Sequence, residues 1–185
     1  MKILKFALFT ICLLGLTQIN AQCNSSKKTH HVSKNHHVQT VVDIAVGSDI
    51  HKTLVTALQA ADLVDALKGD GPFTVFAPTD NAFAKIPSNT LNDLLKPSQK
   101  SALQNVLTYH VVPARVDASL LISAIKAGGG SYNIKTLSGG TLIAKIQNNE
   151  PVLIDENGGV SVIRTTDLEA NNGIIHIIDS VVLPK

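Results

Sequence analysis

From Ser131 onward the chain is cut into short β-branched segments by turn-forming clusters: Ser138-Gly139-Gly140, Asn148-Asn149, Asn157-Gly158-Gly159 and Asn171-Asn172-Gly173. The segments fall near 131–137, 141–147, 151–155, 160–165 and 174–183, and their Val, Ile and Thr content suits a pleated surface. Within 141–147, Leu142, Ala144 and Ile146 alternate with Ile143, Lys145 and Gln147, the two-residue period of a half-buried strand.

The preceding stretch has a different period. Ile50, Leu54, Leu58 and Ala61 recur at helical spacing behind Ser48 and Asp49, which suit an N-cap. A turn at Gly69-Asp70-Gly71-Pro72 leads into a strand at 73–77, FTVFA, and Pro78-Thr79-Asp80 offers a helix start for 81–85. Ser88 is placed to cap a helix reaching Leu94 and Leu95. Pro97 and Ser98 open another helix, whose apolar stripe of Leu103, Val106 and Leu107 is continued by His110. Asp117 looks like the cap of 120–127, and Gly128-Gly129-Gly130 ends that helix. Helices first and strands after predict an α+β domain rather than a doubly wound parallel sheet.

The first residues read as an export leader: Lys2 and Lys5, an apolar run from Phe6 to about Leu16, and a cleavage region with the cut between Ala21 and Gln22. That run is shorter than the roughly 20 residues a membrane span needs, and no later segment reaches that length. Residues 22–38 are polar and rich in His, Lys and Ser, a linker, and 39–185 form the domain. Of the two cysteines, Cys12 lies in the leader and Cys23 just after it, so no disulfide staples the domain and its stability must come from a packed core. Cys23 also opens a second route, cleavage directly before it with acylation to a lipid anchor. From Gln39 onward 11 basic residues face 14 acidic ones, a net charge of −3, with no clustered run of Lys or Arg. A nucleic-acid partner is therefore excluded.

Candidate chemistry is sparse. His30, His31, His36 and His37 pair up in the linker and could chelate a transition metal, but a specific site needs a rigid scaffold, so no metal or other cofactor is expected. In the domain, His51, His110 and His176 remain, and the aliphatic neighbours of His110 and His176 point to buried, hydrogen-bonded imidazoles. There is no Gly-x-Ser-x-Gly elbow, no His-Glu-x-x-His and no cysteine nucleophile in the domain. Asp155-Glu156-Asn157-Gly158-Gly159 lacks the alternating ligands of a calcium loop and reads as a hairpin turn, and Asn157-Gly158 and Asn172-Gly173 suit positive φ.

Three blocks in order resemble the fasciclin (FAS1) family: GPFTVFAPTDNAF from Gly71 to Phe83, LTYHVV from Leu107 to Val112, and NGIIHIIDSVVLP from Asn172 to Pro184. Together they span one copy over 39–185, and the pattern resembles the single-domain, secreted bacterial type. The resemblance implies a β-sandwich-like wedge with packed helices. It also implies an exported or cell-surface, non-enzymatic adhesion module that binds a surface protein or polysaccharide. The family's Tyr-His motif falls on Tyr109 and His110, the expected binding residues, while Thr79, Asp80 and His176 are expected to fix the fold. Two other functions are weighed beside it: an enzyme acting on extracellular polysaccharide, and a periplasmic metal-binding or stress protein using the linker histidines.

Overall fold

The computed structural model describes residues 39–185; the leader, the linker histidines and Cys23 lie outside the described residues. Helices come first. They are α1 (Val41–Val46), α2 (Lys52–Ala60), α3 (Val64–Lys68), α4 (Asp80–Ala84), α5 (Ser88–Leu94), α6 (Lys100–Tyr109) and α7 (Ala118–Ala127), with a 3-10 turn at Pro97–Gln99. Strand β1 (Phe73–Pro78) falls between α3 and α4, and β2 (Val111–Val112) follows α6. After α7 come β3 (Ser131–Lys135), β4 (Thr141–Gln147), β5 (Glu150–Ile154), β6 (Val160–Ala170) and β7 (Gly173–Ile178). This is the expected α+β wedge.

The sheet runs β2-β1-β7-β6-β5-β4-β3. At its centre β1 and β7 pair in parallel, Phe73 opposite Gly173 through Pro78 opposite Ile178; every other pair is antiparallel. β6 serves two partners. Its first residues, Val160–Val162, pair with β5, and from Ile163 it pairs with β7 through two register shifts, with Asp167 at φ 60°. Such bulges bend a strand, and here they fold the sheet into two leaves.

Two apolar cores fill the two sides. Val75, Ala77 and Ile175 pack beneath α1, α2 and α6 with Val42, Leu54, Leu58, Leu103 and Leu107. Phe76 and Ile178 look the other way, onto Leu121 and Ile125 of α7 and onto Leu142, Ala144 and Leu153 of the outer leaf. β1 is thus covered on both faces, which explains its continuous apolar sequence.

Several boundaries differ from the sequence reading. α1 is too short to show a period; Thr40 and Asp43 close it with a reciprocal capping box. α2 starts at Lys52, and neither Ser48 nor Asp49 caps it. Pro87, not Ser88, precedes α5, and its side chain makes no cap. β6 continues to Ala170 because the bulges carry it past the first leaf. The closing strand stops at Ile178, short of the expected 183: at the Asp179-Ser180 bend the Asp179 carboxylate accepts from Val162 N–H at 3.0 Å, and residues 181–185 leave the sheet.

Asn172-Gly173 is not a positive-φ turn either. Gly173 is required by proximity: a Cβ there would lie 2.1 Å from the Phe73 carbonyl oxygen, within the central pairing. Gly173→Ala should therefore cost about 1–3 kcal/mol through overpacking against main chain that cannot move. Gly129→Ala, where φ is +67° but a Cβ would meet nothing, should cost only about 1 kcal/mol. Thermal melts of both variants check the order.

Candidate functional site

Tyr109 ends α6 and His110 is its C-cap, so both lie where the helix turns into β2, and both are buried. The Tyr109 hydroxyl donates to the Thr141 carbonyl at 2.8 Å and accepts from Glu156 N–H at 3.3 Å. Its ring edge lies against Gly140, where a Cβ would come within 2.5 Å of Cε2 and 2.9 Å of Cδ2. The tyrosine thus joins the start of β4 to the turn between β5 and β6.

His110 faces the C-terminal tail. Its Nδ1–H donates to the Val106 carbonyl at 2.8 Å, which leaves Nε2 as the acceptor for Val182 N–H at 3.3 Å. Asp155 continues the clamp: one carboxylate oxygen accepts from Asn157 and Gly159 N–H groups at 2.9 and 2.7 Å, and the other from Leu183 N–H at 3.0 Å. The Asn157 amide then donates to the carbonyls of Leu183 and Pro184. The 155–159 turn therefore holds the tail that His110 also holds. Burial drives the His110 pKa from 6.5 down to about 4, against the Val106 carbonyl and Asp155, which act the other way.

His176 is fully buried, stacked on Phe76 with ring centroids 5.6 Å apart. Nε2–H donates to the Val116 carbonyl at 2.7 Å and Nδ1 accepts from Asp167 N–H at 3.4 Å. The β6 bulge turns that amide toward the ring. Asp167 also accepts from Ala118 N–H at 2.9 Å, while Asp117 accepts from Leu120 N–H at 2.7 Å, so two carboxylates start α7. Burial lowers the His176 pKa as well, opposed by the Val116 carbonyl.

Thr79 and Asp80 divide the work. Thr79 accepts from Ala82 N–H at 3.2 Å and caps α4. Asp80 instead reaches across to α2, accepting from Thr53 N–H at 2.8 Å and Lys52 N–H at 3.4 Å, where His51 offers no cap. Burial alone would raise the Asp80 carboxyl, but the Thr53 amide and hydroxyl and the Lys52 amide outweigh it and hold its pKa low. His51 is buried beside this corner, its Nδ1 2.9 Å from Ser48 Oγ and its Nε2 without a partner. The sequence reading gives Asn172 a turn role only; its side chain accepts from Val41 N–H and donates to the Leu67 and Gly69 carbonyls, tying α1 and α3 to the start of β7.

The residues singled out thus fall in three places: Tyr109–His110 beside the tail, His176 at the β6 bulge, and Thr79–Asp80 at the corner of α2 and α4. Thr79 and Asp80 border a shallow cleft with Asp49, Ile50 and Asn81. Another open cleft, about 480 Å³, is lined by 69–72, Arg115 and 171–173. Among the described residues no cluster of three or more His, Cys, Asp or Glu is placed to hold a metal, and no helix is long and apolar enough to cross a membrane.

The family profile of the fasciclin domain matches residues 49–184. This chain belongs to the fasciclin domain family. It is 37% identical over 186 residues to protein sll1483 of Synechocystis, covering 99% of this chain and 96% of that one. It is also similar to the transforming growth factor-beta-induced protein ig-h3 of Sus scrofa, 31% identical over 147 residues, covering 80% of this chain and 19% of that protein. Among solved structures, a FAS1 domain pair from the insect cell adhesion molecule fasciclin I superposes with a TM-score of 0.69 at 20% identity, over 78% of this chain and 51% of that one. The shared fold places the three sequence blocks together: β1, the end of α6 with β2, and β7 are adjacent in the sheet.

The buried histidines make the stability of this fasciclin domain pH-dependent. Between 6.5 and about 4 the unfolded chain takes up a proton at His110 that the folded chain refuses. Stability is thus full above 6.5 and is lost as pH falls toward 4, by about 3 kcal/mol for this residue. His51 and His176 act in the same direction. Denaturant melts from pH 7 to pH 4 should show the loss, and His110→Gln should flatten part of it.

Proposed function

We propose that this fasciclin domain is an exported, non-enzymatic interaction module that binds a cell-surface or matrix protein or polysaccharide through its exposed surface. The observation that carries this reading is the engagement of the reactive-looking groups. Both ring nitrogens of His110 and of His176 are engaged by main-chain groups of the domain itself, and burial keeps the rings neutral. Tyr109 is likewise occupied by Thr141 and Glu156. The family's Tyr-His pair then acts on binding by holding the tail and the hairpin turns that shape the surface. The insect relative's description as a cell adhesion molecule supports the same class of function.

Pull-down from envelope and matrix fractions, with a glycan-binding screen, tests the reading. Tyr109→Phe should lower stability by about 1 kcal/mol and His110→Ala by more, since each leaves buried main-chain groups unpartnered. Captured partner should then track the folded fraction of each variant. An unchanged melt of His110→Ala with binding lost would instead make His110 a contact residue. Release of reducing sugar from matrix glycans, with no stable partner, would overturn the binding module in favour of an enzyme.

A further inference from the structure

The sheet has two ends, and they are treated differently. β2 is only two residues long, whereas β3 is a five-residue strand with β4 on one side. Thr136 N–H donates to the Gly140 carbonyl at 3.1 Å, which sets the alternation of the ladder. Thr136, Ile134 and Tyr132 turn their main-chain groups toward β4, and Ser131, Asn133 and Lys135 turn theirs outward. The Ser131 carbonyl is shielded by Gly128, where a Cβ would lie 2.1 Å away, and from Leu137 the edge closes on β2 through Leu137 N–H to the Val111 carbonyl at 2.7 Å. Between them, among the described residues, the outward groups of Asn133 and Lys135 carry no main-chain partner, and both residues are exposed.

The side chains around this edge differ by face. Toward α7, Tyr132 and Ile146 are exposed apolar groups, and Ile146 lines a shallow cleft with Ile122, Lys126 and Pro151. On the opposite face stand Asn133, Lys135 and Lys145. Charge makes the edge unusual. Lys52, Lys68, Lys85, Lys96, Lys100, Arg115 and Arg164 all have carboxylate partners. Lys126, Lys135 and Lys145, together with the terminal Lys185, are the cations without one among the described residues. In a domain of net charge −3, two of the four unpaired cations, Lys135 and Lys145, thus stand on one face of the β3–β4 pair, while Lys126 lines the cleft on the other.

We propose that the free edge of β3 docks an extended acidic peptide strand, whose main chain pairs with Asn133 and Lys135 and whose side chains alternate between acidic and apolar. The period follows from strand geometry: residues on the Lys135–Lys145 face would be Asp or Glu, and those facing Tyr132 and Ile146 would be Val, Thr or Ile. Unpaired lysines alone would also attract an acidic polysaccharide, but the outward main-chain groups and the apolar strip favour a peptide. The proposal rests on the domain being a binding module and names one surface and one partner chemistry for it.

The test uses two synthetic octapeptides of the same composition, one alternating Glu with Val and Thr, the other with its glutamates in one block, and a polyuronate as a third probe. Calorimetry on the folded domain should give binding of the alternating peptide at least about tenfold tighter than of the block isomer. Lys135→Glu with Lys145→Glu should reverse that binding. Asn133→Pro removes an outward N–H that the fold does not use and should weaken it about tenfold or more at an unchanged melting temperature. Should that variant fail to fold, hydrogen exchange on the unmodified protein decides, since the Asn133 and Lys135 amides must slow when the alternating peptide is added. Equal binding of the two isomers, unslowed amides, or polyuronate binding that survives Asn133→Pro and exceeds that of the peptide would overturn the proposal. Any of these would leave the binding-module reading intact while envelope fractions still yield a partner.

Discussion

The parallel pairing of β1 with β7 is the constraint on which the rest of the structure depends. It brings residues 73–78 against 173–178, so the domain cannot close until most of its chain is in place. Both strands are buried, and the two apolar cores lie on opposite faces of this pair. Gly71 and Gly173 permit the approach at its open end, where Asn172 fastens α1 and α3 to the same point. Contacts of such long sequence separation cost loop-closure entropy before they return any burial, so the local elements gain their stability mainly by docking onto this seam.

Buried polar side chains then serve as main-chain partners where the regular ladders stop. Where α6 ends, His110 takes the Val106 carbonyl and the Val182 amide; where β6 bulges, His176 takes the Val116 carbonyl and the Asp167 amide. Thr74 does the same for the connector before α7, donating to the Ala114 carbonyl and accepting from Val116 N–H. An imidazole suits these places because its neutral form offers one donor and one acceptor on opposite sides of a rigid ring, so a single side chain bridges two segments. The same neutrality is what acid removes.

Much of the architecture was legible in the sequence because it was written in local periods. The strand at 141–147, the cap at Asp117 and the glycine stop after α7 needed only near neighbours to be read. What escaped was non-local. Asp80 capping α2 from beyond β1, Asn172 joining three segments, and Asp155 holding Leu183 each span 27 or more residues. The extra length of β6 was hidden for a related reason: a strand that changes partner across a bulge breaks the alternation that would reveal it. Tyr109 and His110 stood out as a motif, but no sequence pattern distinguishes a residue that touches a partner from one that braces the surface a partner touches.

The two ends of the sheet extend this argument to binding. A sheet edge invites pairing with any extended chain unless it is shortened, covered or charged. β2 is shortened to two residues, and the stretch after β3 is covered where Leu137 meets Val111. Between Asn133 and Lys135 the device is charge, and charge is selective rather than merely protective. Lysines on one face repel a second basic edge and a bare apolar strand gains nothing from them, but a strand carrying carboxylates at every second residue would gain attraction where others lose it. An edge protected in this way is closed to most chains and open to one pattern.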